Sequence, residues 1–236
     1  MNKSPFNIIP KPNKEIHLIP KSNSYKYVYI FIHGLTQSPL DYVKRFGKFN
    51  GPIPDTFKII LLCAPVQKND FVNGYRTTSW FNITVDEDGI IYEDTIDFKQ
   101  FDISSNFIKK IIHEEAKLLN GDYSKIFVGG FSQGSCLCYD IGLSFEYLLG
   151  GITCFCGVPF SHTKINQNNR KNLNIFAVFG CQDHEFPVNF AMKQIKTFIG
   201  DNKNLVVKKY EAYGHNIYDD ELEDMKQFIK YTITKE

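Results

Sequence analysis

Runs of apolar residues alternate with mixed polar and apolar segments along most of the chain. Three early runs are rich in β-branched and aromatic residues and have the length of buried strands. They cover residues 25–34, which end in a glycine turn, residues 56–65, which end in a proline, and residues 125–131. Similar runs predict further strands at 151–156, 174–179 and 205–211.

The segments between these strands predict helices. The clearest helix is predicted over 103–119 and is expected to stop near Gly121. Its apolar side chains at helical spacing are Phe107, Ile108, Ile111, Ile112, Leu118 and Leu119. Further helices are predicted over 39–47, 133–149, 187–199 and 219–231. Because strands alternate with helices, the predicted fold class is α/β, with a mostly parallel central sheet flanked by helices on both faces.

Two segments depart from this alternation. Residues 1–22 are polar and interrupted by prolines, with one possible short strand at 16–19, and are predicted to form an N-terminal arm. Residues 23–236 are predicted to form a single domain. Residues 66–101 are predicted to be mostly loop, with turns at Asn73-Gly74 and Asp88-Gly89.

Composition narrows the classes of protein. The chain has 236 residues, a net charge of +1 and 43% hydrophobic residues, which suits one globular domain. Near-neutral charge gives no reason to expect nucleic-acid binding. No run approaches the length of a membrane span and no secretory leader is recognisable, so the expected location is cytoplasmic. The sequence predicts no oligomeric state.

Six cysteines are expected to be buried, reduced thiols. Two Cys-x-Cys pairs would allow a zinc site, but structural zinc sites generally use longer spacings. Neither a metal nor a cofactor is therefore predicted.

Residues 130–134 match the pattern G-x-S-x-G, with Ser132 at its centre. A pattern this short also occurs by chance, and the alternative is a glycine-rich turn that happens to contain a serine. Its position between a predicted strand and a predicted helix favours a nucleophile elbow, in which the serine stands above the sheet edge. Ser132 is therefore the candidate nucleophile.

A nucleophilic serine needs a base, and the base needs an orienting acid. In this type of site the chain order is serine, acid, histidine. Asp183 follows one later predicted strand and His215 follows the last, so both are expected at the same sheet edge as Ser132. His184 is the second candidate for the base. The other histidines fit less well because of their predicted positions, namely His17 in the arm, His113 on the long helix and His162 in a polar loop.

An oxyanion formed at this site would need two backbone N–H donors. One is expected from Gln133, the residue after the nucleophile. The other is assigned to Leu35, in the loop that follows the first long strand.

Five motifs carry a resemblance to a known family: HGLTQSP, CAPVQKNDFVNGYRTTSWFNI, GGFSQGS, GCQDHEFP and YGHNI. Together they resemble the acyl-protein thioesterase and carboxylesterase group of α/β-hydrolases, which includes small lysophospholipases. The resemblance implies the α/β-hydrolase fold and a serine hydrolase that removes acyl groups from S-acylated proteins. Lysophospholipids or small esters are alternative substrates, and a non-catalytic binding subunit is the alternative of another class. Transient contact with a membrane surface is compatible with such substrates.

In that family the long connection shapes the acyl channel, and the resemblance assigns this channel to Phe71, Val72, Tyr75, Trp80 and Phe81. The alternative is that these side chains simply pack beneath the loop. The sequence departs from the family pattern at three places. Thr36-Gln37 replaces Gly-Asp, Ser135 replaces the second glycine of the elbow, and Asn82 stands where aspartate is common. The first departure could change the shape of the oxyanion loop.

Overall fold

The structure, a computed structural model, describes residues 4–48, 51–84 and 91–235. Its strands are β1 (Phe6–Pro10), β2 (Ile16–Pro20), β3 (Tyr27–Ile32), β4 (Phe57–Leu61), β5 (Val66–Lys68), β6 (Arg76–Thr78), β7 (Ile126–Phe131), β8 (Gly151–Phe155), β9 (Ile175–Gly180) and β10 (Leu205–Tyr210). Its helices are α1 (Pro39–Phe46), α2 (Phe98–Leu118), α3 (Gln133–Ser144), α4 (Gln167–Asn172), α5 (Val188–Phe198) and α6 (Asp219–Thr234). None of these helices is long and apolar enough to cross a lipid bilayer.

Eight strands form one sheet in the order β1-β2-β4-β3-β7-β8-β9-β10. The strands from β4 to β10 in this order are parallel, whereas β1 and β2 pair in the antiparallel sense. β5 and β6 form a separate antiparallel ribbon in the connection after β4. The predicted α/β fold with a mostly parallel sheet is confirmed.

Strand β3 shows why helices cover both faces of the sheet. Successive side chains of a strand point to opposite faces. Ile30 and Ile32 join a core cluster that includes residues of α2, α3 and α5. Tyr29 and Phe31 join a second cluster, which includes residues of α1 and α6. Both faces of β3 are buried, which explains why its sequence is apolar or aromatic at every position.

The sequence predicted an N-terminal arm over residues 1–22. In the structure, residues 6–20 instead form a hairpin of β1 and β2 that is joined to the sheet. β2 pairs with β4 and buries Ile16, Leu18 and Pro20 at alternate positions. The prolines are compatible with these strands because Pro10 and Pro20 each stand at a strand end. The possible strand at 16–19 is confirmed as β2. Strand β1 was not predicted, because only the first of its five side chains is buried and it carries no alternating apolar signal.

Helix α2 begins at Phe98 rather than at residue 103, because Asp97 accepts a hydrogen bond from the Gln100 N–H and caps it. Helix α3 ends at Ser144 rather than at residue 149, and the short α4 was not predicted. In the long connection, Asn73 and Gly74 form the predicted turn, both with positive φ. The Asp88-Gly89 turn lies outside the described residues.

The predicted apolar stripe of α2 is only partly buried. Ile108, Ile112 and Leu119 are in the core, but Phe107 and Leu118 are 42% and 64% exposed. The helix instead turns polar groups inward, where partners satisfy them. Buried Ser105 donates to Asp140 at 2.6 Å, and buried Glu115 accepts from Lys58 at 2.6 and 2.8 Å. Spacing alone could not predict these paired polar positions.

The strand order places a switch point between β3 and β7. The chain leaves β3 through α1 toward β4, whereas it leaves β7 through α3 toward β8 on the other side. Connections that diverge in this way leave a crevice beyond the carboxyl ends of the two strands, where ligands of open α/β sheets bind. The loop after β3 and the turn after β7 line this crevice.

Leu18→Ala tests whether β2 belongs to the core. Leu18 has no exposed surface, so we expect the free energy of unfolding to fall by about 3 kcal/mol. Ile8→Ala in β1 is the control, because that side chain is 49% exposed and should cost less than about 1 kcal/mol. Urea unfolding measures both variants. A loss at Leu18 no larger than that at Ile8 would contradict the burial of β2.

Candidate active site

The turn from β7 into α3 has the geometry of a nucleophile elbow. Ser132 has φ 53° and ψ −119°, a strained conformation for a residue other than glycine. A Cβ at Gly130 would lie 2.1 Å from the carbonyl oxygen of Gly134, and one at Gly134 would lie 2.0 Å from that of Ile32. Both glycines of the motif are therefore required by close backbone contacts.

The structure brings Ser132, Asp183 and His215 together. His215 Nδ1 lies 2.8 Å from Asp183 Oδ2, and His215 Nε2 lies 2.9 Å from Ser132 Oγ. Asp183 follows β9, His215 follows β10, and the Asp183 side chain has no exposed surface. His184, the second candidate for the base, is exposed, and it is His215 that contacts the serine.

Asp183 fixes the proton on His215. Its Oδ1 accepts the backbone N–H groups of Glu185 and Phe186, at 2.9 Å each. An ionised carboxylate only accepts, so the hydrogen bond to Oδ2 puts a proton on Nδ1 of His215. In the neutral ring Nε2 then carries the lone pair, which can take the proton of Ser132.

The two predicted oxyanion donors lie beside the serine. Among the residues that the structure describes, neither the Leu35 N–H nor the Gln133 N–H has a hydrogen-bond acceptor. Gln133 is the first residue of α3, where the helix dipole favours negative charge. Leu35 and Ser132 both line a pocket of about 300 Å³.

The departure at Thr36-Gln37 braces the oxyanion loop. Gln37 Oε1 accepts the Gly34 N–H at 2.9 Å and the Tyr42 hydroxyl at 2.7 Å. The Thr36 N–H donates to the carbonyl of Thr78 at 2.9 Å, which ties the loop to β6. The Thr36 contact is between backbone groups, so only the two contacts of the Gln37 side chain depend on the departure from the family pattern.

His33 supports the same loop from beneath. Its Nε2 accepts the Ala64 N–H at 3.1 Å, so Nδ1 carries the proton and donates to the carbonyl of Gly34 at 2.7 Å. Burial lowers the pKa of His33 to about 4, although the hydrogen bond to Gly34 partly opposes this. The ring is neutral near pH 7.

Of the five residues predicted to line the acyl channel, two line the pocket at Ser132 and three do not. Phe71 and Val72 line the pocket at the serine. Trp80 and Phe81 are core residues with 1% exposure. Tyr75 is 73% exposed and is not part of the pocket wall. Trp80 instead forms the wall of a separate apolar pocket of about 450 Å³, beside Ile103 and Phe107 of α2.

Trp80 and Phe81 are buried because the elbow holds their backbone. The Gln133 side chain accepts the Trp80 N–H at 3.1 Å and donates to the carbonyl of Phe81 at 2.7 Å. The Trp80 indole donates to the carbonyl of His33 at 2.8 Å. These hydrogen bonds join the long connection to the elbow and to the end of β3. Trp80 and Phe81 therefore pack beneath the loop, which was the alternative to lining an acyl channel.

Asn82 stabilises the same connection. Its amide donates to Asp70 Oδ2 at 2.7 Å, and its oxygen accepts the Asp70 N–H at 2.8 Å. An aspartate at position 82 would place two carboxylates in contact, which explains why this chain has asparagine there.

Sequence reasoning missed Glu185. Its Oε2 lies 3.1 Å from His215 Nε2, the nitrogen that also contacts Ser132, and its side chain lines the pocket. Burial raises the pKa of Glu185, and the charge of His215 partly opposes that effect. The available signal was its position two residues after Asp183, in the same loop.

Cys156 lies behind the histidine. Its Sγ and the ligand atoms of Asp183 and His215 all lie within 4.8 Å of one another, so the residue types could hold a metal ion. However, burial raises the pKa of the Cys156 thiol, and the nearby Asp183 charge adds to this effect. Asp183 and His215 are also bonded to each other. The set fits a metal poorly, and the expectation of no metal or cofactor stays a prediction.

A serine, a histidine and a carboxylate linked in this order, beyond the carboxyl ends of a parallel sheet, define an α/β-hydrolase. The chain belongs to the phospholipase/carboxylesterase family, whose sequence model matches residues 13–233. It is therefore a hydrolase, as the sequence analysis predicted.

Relatives agree with this assignment. The chain is 28% identical to acyl-protein thioesterase 1 of Eremothecium gossypii over 234 residues, which covers 94% of each chain. It is 27% identical to acyl-protein thioesterase 1 of Saccharomyces cerevisiae over 219 residues, or 87% of this chain and 92% of the relative. The crystal structure of Zea mays acyl-protein thioesterase 2 matches with a TM-score of 0.73 at 17% identity, over 94% of this chain and 99% of that one. That structural likeness shows the shared fold.

Gln37→Ala should lower kcat for a chromogenic short ester by about 10- to 100-fold, because the unbraced loop would misplace the Leu35 N–H. Tyr42→Phe removes only one of the two hydrogen bonds to the Gln37 side-chain oxygen and should lower kcat less than about fivefold. Steady-state kinetics on variants with native circular dichroism measure both. An unchanged kcat in Gln37→Ala would contradict the bracing role.

Because its pKa is lowered, His33 should make the free energy of unfolding fall as the pH is lowered. An unfolded histidine takes up a proton near pH 6.5, whereas folded His33 does so only near pH 4. Its stabilisation is therefore complete above pH 6.5 and is lost as the pH falls toward 4. The difference in unfolding free energy between wild type and His33→Asn should shrink by about 3 kcal/mol over this range.

Urea unfolding at several pH values measures this difference. Leu18→Ala changes no titrating group, so its loss of stability should vary little with pH. A difference for His33→Asn that is equally constant would contradict the buried neutral histidine.

Proposed function

We propose that this hydrolase is an acyl-protein thioesterase, with Ser132 as nucleophile, His215 as base and Asp183 as the orienting acid. The observation that carries the proposal is the unbroken hydrogen-bonded chain from Asp183 Oδ2 through His215 to Ser132 Oγ. The relatives named acyl-protein thioesterase 1 support the choice of substrate.

Acylation would begin as Ser132 Oγ attacks the carbonyl carbon of a thioester or ester and His215 Nε2 takes its proton. The oxygen of the tetrahedral intermediate becomes negative and would accept hydrogen bonds from the Leu35 and Gln133 N–H groups. Asp183 would stabilise the imidazolium formed on His215. The bond to the sulfur or oxygen of the leaving group then breaks, and His215 gives the proton to that atom. The thiol or alcohol departs and His215 is neutral again.

Deacylation would repeat these steps with water. His215 removes a proton from water as the oxygen attacks the acyl-enzyme carbonyl, and the same two N–H groups stabilise the second oxyanion. Collapse of this intermediate breaks the bond to Ser132 Oγ, which takes the proton back from His215. The products are the free acid and the thiol or alcohol.

Lysophospholipids and small esters remain the second class of substrate. The family name includes both phospholipases and carboxylesterases, and the pocket of about 300 Å³ at the serine would hold a short acyl group. We further propose a cytoplasmic location with transient contact to membrane surfaces. The six free cysteines support a reducing compartment.

A fluorophosphonate probe tests the catalytic serine. Wild type should be labelled, and Ser132→Ala should lose the label together with at least about 10⁴-fold of kcat. Ser22→Ala, an exposed serine before β3, is the control and should keep both. A folded wild type that takes up no probe would refute the proposal.

A substrate panel then tests the acyl class. We expect kcat/KM for an S-palmitoyl peptide to exceed that for a lysophospholipid and for a short ester. The reverse order, with Ser132 labelled, would replace the thioesterase with a lipid or small-ester esterase.

A further inference from the structure

The Glu185 side chain brings a second carboxylate, besides that of Asp183, into contact with His215. Ser132 Oγ and Glu185 Oε2 lie 2.9 and 3.1 Å from the same nitrogen, His215 Nε2. The Glu185 side chain is 33% exposed, so one side faces the pocket opening while the other contacts the histidine.

This contact conflicts with the resting state of the base. Asp183 holds the imidazole proton on Nδ1, so Nε2 of a neutral His215 carries only a lone pair. An ionised Glu185 has no proton to donate to it, and the contact is favourable only with a proton between the two groups. A proton on either group keeps Nε2 from accepting the proton of Ser132. Glu185 therefore competes with Ser132 for Nε2.

The pocket itself offers Glu185 no other charged partner. Among the described residues of its wall, only Glu185 and His215 carry ionisable side chains. The remaining wall is apolar or uncharged, namely Leu35, Thr36, Gln37, Phe71, Val72, Phe131 and Ser132. A cation that enters with the substrate would supply the missing partner, whereas an anionic group would be repelled.

We propose that Glu185 is a specificity-determining residue that favours S-acylated cysteines flanked by lysine or arginine. The inference rests on the proposed thioesterase function and names its substrate class. A basic side chain beside the acylated cysteine pairs with Glu185, draws it from His215 and frees Nε2 to act as the base. Such sequences form a coherent class, because one acyl chain anchors a protein stably only with a second signal, such as a polybasic segment.

Two S-palmitoyl peptides test this assignment. They are identical except that the residues flanking the acylated cysteine are lysine in one and glutamine in the other. Wild type should prefer the lysine peptide by about fivefold in kcat/KM, and the preference should fall with added salt. In Glu185→Gln the ratio should approach one.

The ratio within each variant removes any general effect of Glu185 on catalysis. Glu146→Gln is the matched control, because it removes the same charge at an exposed position between α3 and β8, at the opposite edge of the sheet. It should keep the wild-type ratio.

Equal kcat/KM for both peptides in wild type, or an undiminished preference in Glu185→Gln, would overturn the role of Glu185 while leaving the thioesterase intact. A preference for a choline lysophospholipid over both peptides would overturn the peptide class. If the probe labels Ser132 but neither peptide is cleaved, both the inference and the thioesterase proposal fail.

Discussion

The close contact between Gly134 and the carbonyl oxygen of Ile32 is the constraint on which the site depends. A methyl group at position 134 would lie 2.0 Å from that oxygen, so the start of α3 lies directly against the end of β3. Leu35 follows β3 and Gln133 begins α3, so the two candidate donors lie on the two segments that this contact holds together. Ser132, the candidate donors and the pocket thus all lie around one backbone approach at the switch point of the sheet.

His33 and His215 both lie at this end of the sheet, but their ring nitrogens have different hydrogen-bond partners. Burial keeps His33 neutral, and the ring supports the loop after β3 by accepting the Ala64 N–H and donating to the carbonyl of Gly34. His215 faces the pocket and is held by Asp183, so its second nitrogen is turned toward the serine. Burial and hydrogen-bond partners, rather than residue type, separate a structural histidine from a candidate base.

Much of the fold and of the site could be predicted, because chain order and strand ends are local properties. Asp183 and His215 each follow an apolar run, and parallel strands bring such positions to one edge. Long-range contacts decided the rest. Leu18 is buried because β2 pairs with β4 and thereby joins the sheet and its core. Trp80 is in the core because Gln133 and His33 hold it there. The contact of Glu185 with the histidine depends on loop geometry that no pattern encodes.

The hairpin of β1 and β2 also covers the edge of the parallel part of the sheet, because β2 pairs with β4. Without β2, strand β4 would present a free edge whose residues are all buried in the fold. Unpaired edges of this kind recruit strands from other chains and start aggregation. The outer strand β1 is only five residues long and ends in Pro10, which has no N–H to donate to a further strand. The hairpin thus replaces an edge whose residues are all buried with a short edge that a proline closes.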